Sequence, residues 1–161
     1  MRKLGTAGLG LAMALTLLAG PALPATAAAT GPAAVSKVTA KVLKNQFDEV
    51  ENPETGKRIK VRGSLVCLKI KANKKWSGNY ATTVYKGSSV KTRKYIGTII
   101  LSKKYNDDPC FGSGRTKTDA AKLRKAGMYG LEPKTTYTFE VHASGGGSHK
   151  DTLKTVKAKT A

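Results

Sequence analysis

Alternation of apolar and basic side chains between residues 59 and 72 constrains the fold most strongly. Ile59 and Val61 alternate with basic residues, and after Gly63 the apolar residues move to even positions, beginning at Val66. A period of two is typical of a half-buried β-strand, and a phase change at a glycine is typical of a β-bulge. The segment therefore predicts a long strand with one face in the core and the other in water.

Strand patterns recur along the chain, and one segment favours a helix. Residues 118–126 predict that helix, with Thr118 as its N-cap and Gly127 as its end. Residues 45–56 read as an acidic loop. Further strands are predicted at residues 35–44 (an edge strand), 80–86 with 90–101 (a hairpin), 131–143, and 151–159. The chain is therefore expected to be mostly β, with one short helix before the penultimate strand.

The first 29 residues have the three parts of a secretory signal peptide. Arg2 and Lys3 give a positive start, residues 9–19 are apolar, and residues 25–27 form an Ala-x-Ala cleavage match. An uncleaved membrane anchor is the alternative reading. A lipid anchor is not expected, because no cysteine lies near the cleavage region. We expect cleavage and secretion.

The remainder is expected to form one domain. Residues 30–34 read as a short leader, and residues 35–161 are long enough to bury one core. No second apolar stretch has the length of a membrane span. After cleavage the protein is therefore expected to carry no transmembrane segment.

Two cysteines remain after cleavage, Cys67 and Cys110. An even count in an exported chain favours a disulfide. The bridge would close a loop of 44 residues, which the chain-entropy model values at about 4 kcal/mol. Two buried free thiols are the alternative. The two cysteines and two histidines match no zinc spacing, so no metal site is expected.

Basic residues are concentrated in one part of the chain. The net charge is +19, and it becomes +17 without Arg2 and Lys3. Residues 57–104 contain fourteen Lys or Arg and no Asp or Glu, directly after an acidic run at residues 48–54. Such a field draws anionic polymers and surfaces. The alternative explanation is that the high charge only keeps the protein soluble, but solubility does not require that a 48-residue stretch lack Asp and Glu.

The basic strands would form one continuous cationic surface if they were adjacent in one sheet. The expected partner is an anionic cell-envelope polymer or another anionic surface, because those are the polyanions outside a cell. The candidate binding residues are Lys60, Arg62, Lys69, Lys71, Lys74, Lys75, Lys91, Arg93 and Lys94.

Aromatic residues within the basic stretch raise the possibility of nucleic-acid binding. Trp76, Tyr80, Tyr85 and Tyr95 lie there, and single-strand binders stack bases on exposed aromatic rings. Strand aromatics more often pack against the core or a neighbouring strand. Nucleic acid is therefore not expected to be the physiological ligand.

Residues 131–141 carry the pattern Leu-x-Pro-x-Thr-x-Tyr-x-Phe-x-Val, beginning at Leu131. This pattern resembles the tyrosine corner of fibronectin type III and immunoglobulin-like β-sandwich domains, and the resemblance extends to residue 159. It implies a β-sandwich in which Leu131, Pro133 and Tyr137 form the corner and the tyrosine hydroxyl bonds to an upstream main-chain group. The helix would be an insertion, and Cys110 lies well before the position of the second immunoglobulin cysteine. The fold implies binding only by analogy.

Nothing in the sequence has the pattern of a catalytic centre. His142 is expected to point outward from a strand, and His149 to lie on the surface beside a glycine-rich loop. Residues 106–108 lack the spacing of a calcium loop, so no cofactor is expected. Two hypotheses follow: a non-enzymatic module that binds anionic material, or a protein-recognition domain (an inhibitor or effector) that acts through loops at residues 145–149 or 106–114.

Overall fold

The computed structural model describes residues 31–105, 108–144 and 148–161. The predicted signal peptide lies outside these ranges. Within them, no helix combines the length and apolar character needed to cross a bilayer.

The described chain forms seven strands in two antiparallel sheets, one strand more than predicted. One short α-helix precedes the penultimate strand, as predicted. The sheets have the strand orders β1-β2-β5 and β4-β3-β6-β7. The elements are β1 (Val35–Glu51), β2 (Arg58–Ala72), β3 (Asn79–Lys86), β4 (Lys94–Ser102), a 3-10 turn (Lys103–Tyr105), β5 (Cys110–Gly114), α1 (Lys117–Lys125), β6 (Thr136–Ala143) and β7 (Thr152–Lys159).

The two sheets share one hydrophobic core. Val66 and Leu68 of β2 are fully buried in it together with Val84 of β3. The rings of Phe111 in β5 and Phe139 in β6 lie 5.1 Å apart, centroid to centroid. Because the apolar faces of both sheets meet in this core, the architecture is consistent with a β-sandwich.

Two aromatic side chains tie connecting segments to this core. The hydroxyl of the buried Tyr137 accepts a hydrogen bond from the backbone N of Glu132 at 2.8 Å. Trp76, which the sequence places in a turn, is only 3% exposed, and its Nε1 donates to the carbonyl of Ser144 at 2.9 Å. A turn residue is therefore part of the core because its indole N–H finds a partner there.

The predicted bulge in β2 is present, and it explains an error about β1. Phe47 pairs with Gly63 and Glu49 with Lys60, so β2 has one residue more than β1 between these pairs. The predicted acidic loop is wrong over residues 45–51, which continue β1. Phe47 lies where a side chain on Gly63 would collide with its ring. Pairing with β2 therefore overrides the loop-like composition. The prediction of β1 as an edge strand is confirmed.

The helix begins one residue earlier than predicted, and its cap is a different threonine. Thr116 is the N-cap: its hydroxyl accepts a hydrogen bond from Asp119 N at 3.0 Å, and Asp119 Oδ2 accepts one from Thr116 N at 3.1 Å. The prediction of Thr118 is wrong because a capping box needs its acidic partner three residues after the cap. Gly127 follows the helix with a φ of 75°. The helix packs closely on β5, where a Cβ at Gly114 would collide with Ala120.

The residues predicted as a leader pack against the start of β7. Ala33 forms a parallel bridge with Lys150, and Ala34 is fully buried. The backbone N of Lys150 donates to Pro32 O at 3.2 Å. This contact brings the first described residues next to the segment that follows β6.

Candidate anionic-surface binding face

Four lysines project from the outward face of the three-stranded sheet. Val38, Ala40 and Val42 of β1 pack against the core, so the alternate residues point away from it. Lys37 lies opposite Lys71 across the strand pair. We call the four exposed residues the lysine face: Lys37, Lys41, Lys69 and Lys71.

No carboxylate of the described residues forms an ion pair with the lysine face. The three ion pairs among the described residues involve Arg58, Lys86 and Arg93 instead. Thr39 lies opposite Lys69, and Cys67 opposite Lys41. Asp108 approaches the edge of β2, where its Oδ1 accepts a hydrogen bond from the backbone N of Ile70 at 3.2 Å. The Asp108 carboxylate therefore satisfies a backbone N–H at the edge of β2 and forms no ion pair with the lysines.

The predicted disulfide is present beside these lysines. Cys67 and Cys110 are directly opposite each other in the β2–β5 pair, and their sulfur atoms are 2.06 Å apart. Cys67 belongs to the same outward row as Lys69 and Lys71, the less apolar side that its sequence position indicates. The bridge therefore fixes β2 to β5 at the edge of the lysine face.

The structure brings together part of the predicted basic set. Lys69 and Lys71 lie on the lysine face, and Lys74 and Lys75 are exposed in the turn that follows β2. The condition for one continuous cationic surface, that the basic strands are adjacent in one sheet, is not met. The acid-free stretch leaves the three-stranded sheet at residue 72 and enters the four-stranded sheet at residue 79.

Lys60 and Arg62 lie at the opposite end of β2, in a setting of mixed charge. Lys60 pairs across the strands with Glu49. Both basic residues line a cleft of about 660 Å³ that is also lined by Asp48, Glu49 and Asp119. The acidic run that precedes the basic stretch in sequence is thus folded back onto it by β1.

The three remaining predicted residues belong to the other side of the molecule. Lys91 lies in the turn before β4, and Lys94 begins that strand. Arg93 Nη1 contacts Glu140 Oε1 at 2.5 Å, and its guanidinium carbon lies 4.1 Å from the centroid of the Tyr85 ring. The Arg93 charge is therefore neutralised locally.

Other cations near the four-stranded sheet also have partners. Lys86 Nζ lies 2.8 Å from Glu132 Oε2, and this hydrogen bond lowers the pKa of Glu132 below its ordinary value. Lys103 Nζ donates to the carbonyls of Asn73 at 2.6 Å and Lys74 at 2.9 Å, as well as to that of Trp76. These charges are committed to intramolecular contacts.

Two residues of the lysine face are missing from the sequence-based set. Lys37 and Lys41 precede the acidic run and therefore fall outside the acid-free stretch. Their even spacing within the residue 35–44 strand pattern was the available signal, because residues an even number apart share a strand face. A search for runs of basic residues alone does not find Lys37 and Lys41.

Aromatic residues and histidines lie in contrasting environments. Trp76 and Tyr80 are buried, so they present no ring for base stacking, whereas Tyr95 is 58% exposed. His142 is exposed, but the expectation of a surface position for His149 is wrong, since this residue is buried. It is covered because the leader packs beside it.

The remaining sequence expectations concern metals and loops. Among the described residues, no three His, Cys, Asp or Glu side chains are grouped as a metal site. Residues 110–114 of the second proposed recognition loop form β5 instead of a loop, because they pair with β2. Residues 106, 107 and 145–147 of the two proposed loops lie outside the described ranges.

Comparison with known proteins identifies no relative: no family model, curated protein or solved structure matches the chain.

Proposed function

We propose that this chain is a secreted, non-enzymatic binding domain whose lysine face attaches to anionic envelope or matrix material. The observation that carries the proposal is a set of four exposed lysines on one sheet face, none of which forms an ion pair with another described residue. Backbone positions on such a face are about 5–7 Å apart, less than the screening length of about 8 Å at physiological salt. The ammonium groups therefore repel one another, and an anionic surface relieves that repulsion.

Lysine at all four positions favours a repetitive polyanion over a small ligand of fixed shape. The ammonium is a hydrated point charge on a flexible stem, whereas arginine presents a rigid fork suited to bidentate recognition. A flat strand face also offers little enclosure. Charge density, more than detailed geometry, would set the affinity.

We propose that the sandwich is of the immunoglobulin-like or fibronectin type III-like kind. Support comes from the adjacent order of β3, β6 and β7, which corresponds to strands C, F and G of the immunoglobulin fold. The Tyr137 hydroxyl also bonds to the backbone five residues upstream. Two features depart from an immunoglobulin constant domain: β4 lies beside β3, and the disulfide joins two strands of one sheet.

Secretion is part of the proposal, and two features support it. The first 29 residues have the composition of a signal peptide. The disulfide between Cys67 and Cys110 suits an oxidising compartment. In a secreted protein the lysine face would meet envelope and matrix polyanions.

The test is co-sedimentation of the purified protein with vesicles of phosphatidylcholine alone or mixed with phosphatidylglycerol. We expect retention on the anionic vesicles that falls steeply as salt rises. K69Q/K71Q should weaken it about 30-fold, since each lysine near an anionic surface contributes about 1 kcal/mol.

The matched control is K91Q/K94Q, which removes the same charge from exposed residues beside the four-stranded sheet. This variant should change retention less than about threefold. Equal losses in the two variants would show that net charge alone governs binding and would contradict the proposal. Salt-independent retention, or none at low salt, would also contradict it.

A further inference from the structure

Within the described chain the two sheets have four edge strands, and three of them carry features that discourage pairing with a further strand. β1 and β7 each contain three lysines, and charged side chains, lysine above all, oppose the addition of a strand at an edge. β5 is only five residues long, and α1 packs against it so closely that a Cβ at Gly114 would collide with Ala120. The fourth edge strand is β4.

β4 lacks these features over residues 97–102. The segment contains no charged residue and no proline, and it pairs with β3 in unbroken register. The bulge of β4 comes before it, where Gly97 lies opposite Val84 and Tyr95 opposite Tyr85. Among the described residues, no strand pairs with the other side of β4. We call residues 97–102 the open edge, and a run of this composition at the edge of a sheet favours the addition of a strand from another chain.

Exposed apolar side chains are concentrated around the open edge. Four large apolar side chains of the described chain are more than half exposed, and three of them, Val90, Tyr95 and Ile100, lie in β4 or in the turn before it. Ile100 is 70% exposed although it lies within the open edge. Single exposed apolar residues are ordinary in proteins, whereas a group of them beside unpaired strand backbone favours an interaction surface.

A pocket adjoins the start of the open edge. It has a volume of about 470 Å³ and lies between β4 and the segment that follows α1, lined by Tyr95, Ile96, Arg124, Gly127, Met128 and Tyr129. The Tyr129 ring packs on Phe111, with centroids 5.0 Å apart, and on Gly97, where a Cβ would lie 2.8 Å from Tyr129 Cε1. In strand addition, main-chain hydrogen bonds supply affinity and pockets for alternate side chains supply specificity. The pocket offers such a position to one side chain of an added strand.

The charge around the open edge favours an acidic partner. Lys94 begins β4, and Lys104 follows the strand in the 3-10 turn. Neither lysine forms an ion pair among the described residues, and residues 87–105 contain no Asp or Glu. Antiparallel pairing with a second copy of the chain would bring Lys94 of one copy near Lys104 of the other, so like charges would oppose each other. An acidic segment would meet complementary charge at both ends.

We propose that the open edge binds an extended segment of an acidic protein as a fifth strand of the four-stranded sheet. The backbone of the segment pairs with the N–H and C=O groups of β4 that face away from β3. The centre of the segment carries β-branched or apolar side chains that pack beside Thr98 and Ile100, and its ends carry Asp or Glu near Lys94 and Lys104. The open edge and the lysine face belong to different sheets, so this site is additional to the proposed function.

An NMR titration of isotope-labelled protein at low salt tests this binding. The probe is the capped synthetic peptide Glu-Glu-Thr-Val-Thr-Ile-Thr-Val-Glu-Glu. We expect saturable shifts at the amides of residues 97–102 and at the Tyr129 ring. Amide hydrogen exchange in the open edge should slow in the bound state, because unpaired N–H groups gain partners. Shifts that rise linearly with peptide concentration, or that centre on the lysine face, would overturn the proposal.

Two control peptides separate strand addition from attraction by charge. Proline in place of each threonine keeps the charge of the peptide but removes backbone donors, so saturable binding should be lost. Lysine in place of each glutamate should weaken binding at least about tenfold at low salt. If either control peptide binds as tightly as the probe, the proposal is wrong.

A matched pair of variants assigns the binding to one edge of the sheet. Ile100 on β4 and Leu153 on β7 lie in one cross-strand row at opposite edges, and both side chains are exposed, so their replacement leaves the core intact. I100E should weaken peptide binding about tenfold, because a carboxylate replaces an apolar contact and faces an acidic segment. L153E makes the same change at the far edge and should keep wild-type affinity within about twofold. Equal losses in the two variants would overturn the proposal.

Sedimentation of the protein alone tests the competing occupant, a second copy of the chain. Dimers that I100E dissociates, in a protein that does not bind the peptide, would assign the open edge to self-association and overturn the proposal. The two proposals of this article can also fail separately. Vesicle retention without saturable peptide binding would overturn the open-edge site alone, and peptide binding without vesicle retention would contradict the proposed function alone.

Discussion

The outward faces of the two sheets differ in how their charged side chains are paired, although both carry part of the same basic stretch. The lysine face presents four exposed ammonium groups that form no ion pair among the residues the structure describes. On the four-stranded sheet, Arg93 is paired with Glu140. One cross-strand row there runs through the exposed Ile100 and Leu153, which are 70% and 60% exposed, with Ala81 and His142 between them.

This difference shows that the density of basic residues in a sequence does not determine the electrostatic potential at the folded protein's surface. Sheet membership decides which cations are neighbours, and β6 supplies Glu140 to one side alone. The acid-free stretch of residues 57–104 is thereby divided: Lys69 and Lys71 join the lysine face, whereas Arg58, Lys86 and Arg93 form ion pairs elsewhere. The variants below act on the two sides separately.

The largest expected effect concerns the disulfide beside the lysine face. C67A/C110A should lower the free energy of unfolding by about 4 kcal/mol, because the bridge constrains a long loop of the unfolded chain. Thr83 and Thr98 give a matched cross-strand pair on the other sheet, with hydroxyl oxygens 3.0 Å apart, and T83A/T98A should cost about 1 kcal/mol or less. Urea denaturation measures both. Similar losses in the two double variants would contradict a special dependence of the three-stranded sheet on its bridge.

The smallest expected effect concerns the paired cations. The hydrogen bond from Lys86 lowers the pKa of Glu132 in the folded protein. The contact therefore stabilises fully above the ordinary glutamate pKa, and this contribution is lost as pH falls through the lower folded value. E132Q should be less stable than wild type by under about 1 kcal/mol at pH 7.

Urea midpoints measured from neutral to acid pH test this sign. The difference between wild type and E132Q should shrink on acidification. K71Q serves as the control, because Lys71 has no carboxylate partner among the described residues. A wild-type advantage over E132Q that persists or grows in acid would contradict the role of the Lys86–Glu132 contact.

Local patterns predicted much of the fold. Alternation predicted β2 and its bulge. The resemblance of residues 131–141 to a tyrosine corner implied a bond between the Tyr137 hydroxyl and the upstream backbone, and the structure contains it. The disulfide followed from the cysteine count and the export signal. These features depend on residues close in sequence or on a count of one residue type, so they can be predicted from the sequence alone.

Features set by long-range pairing could not be predicted. Residues 45–51 form a strand because β2 pairs with them, despite their acidic composition. His149 is buried because the leader, more than a hundred residues earlier, packs beside it. The lysine face depends on the pairing of Lys37 with Lys71 across the strands. Sequence periodicity predicts which face of a strand each residue lies on, but not which other strand pairs with it.

The most direct test of the lysine face is a chemical footprint of the lysines. Wild-type protein, free or bound to phosphatidylglycerol vesicles, is acetylated briefly at low salt, and each site is quantified by mass spectrometry. We expect bound protein to be protected at Lys37, Lys41 and Lys69, while Lys91 and Lys94 react at the same rate in both states. Protection centred on Lys91 and Lys94, or uniform protection of all lysines, would contradict the assignment of binding to the lysine face.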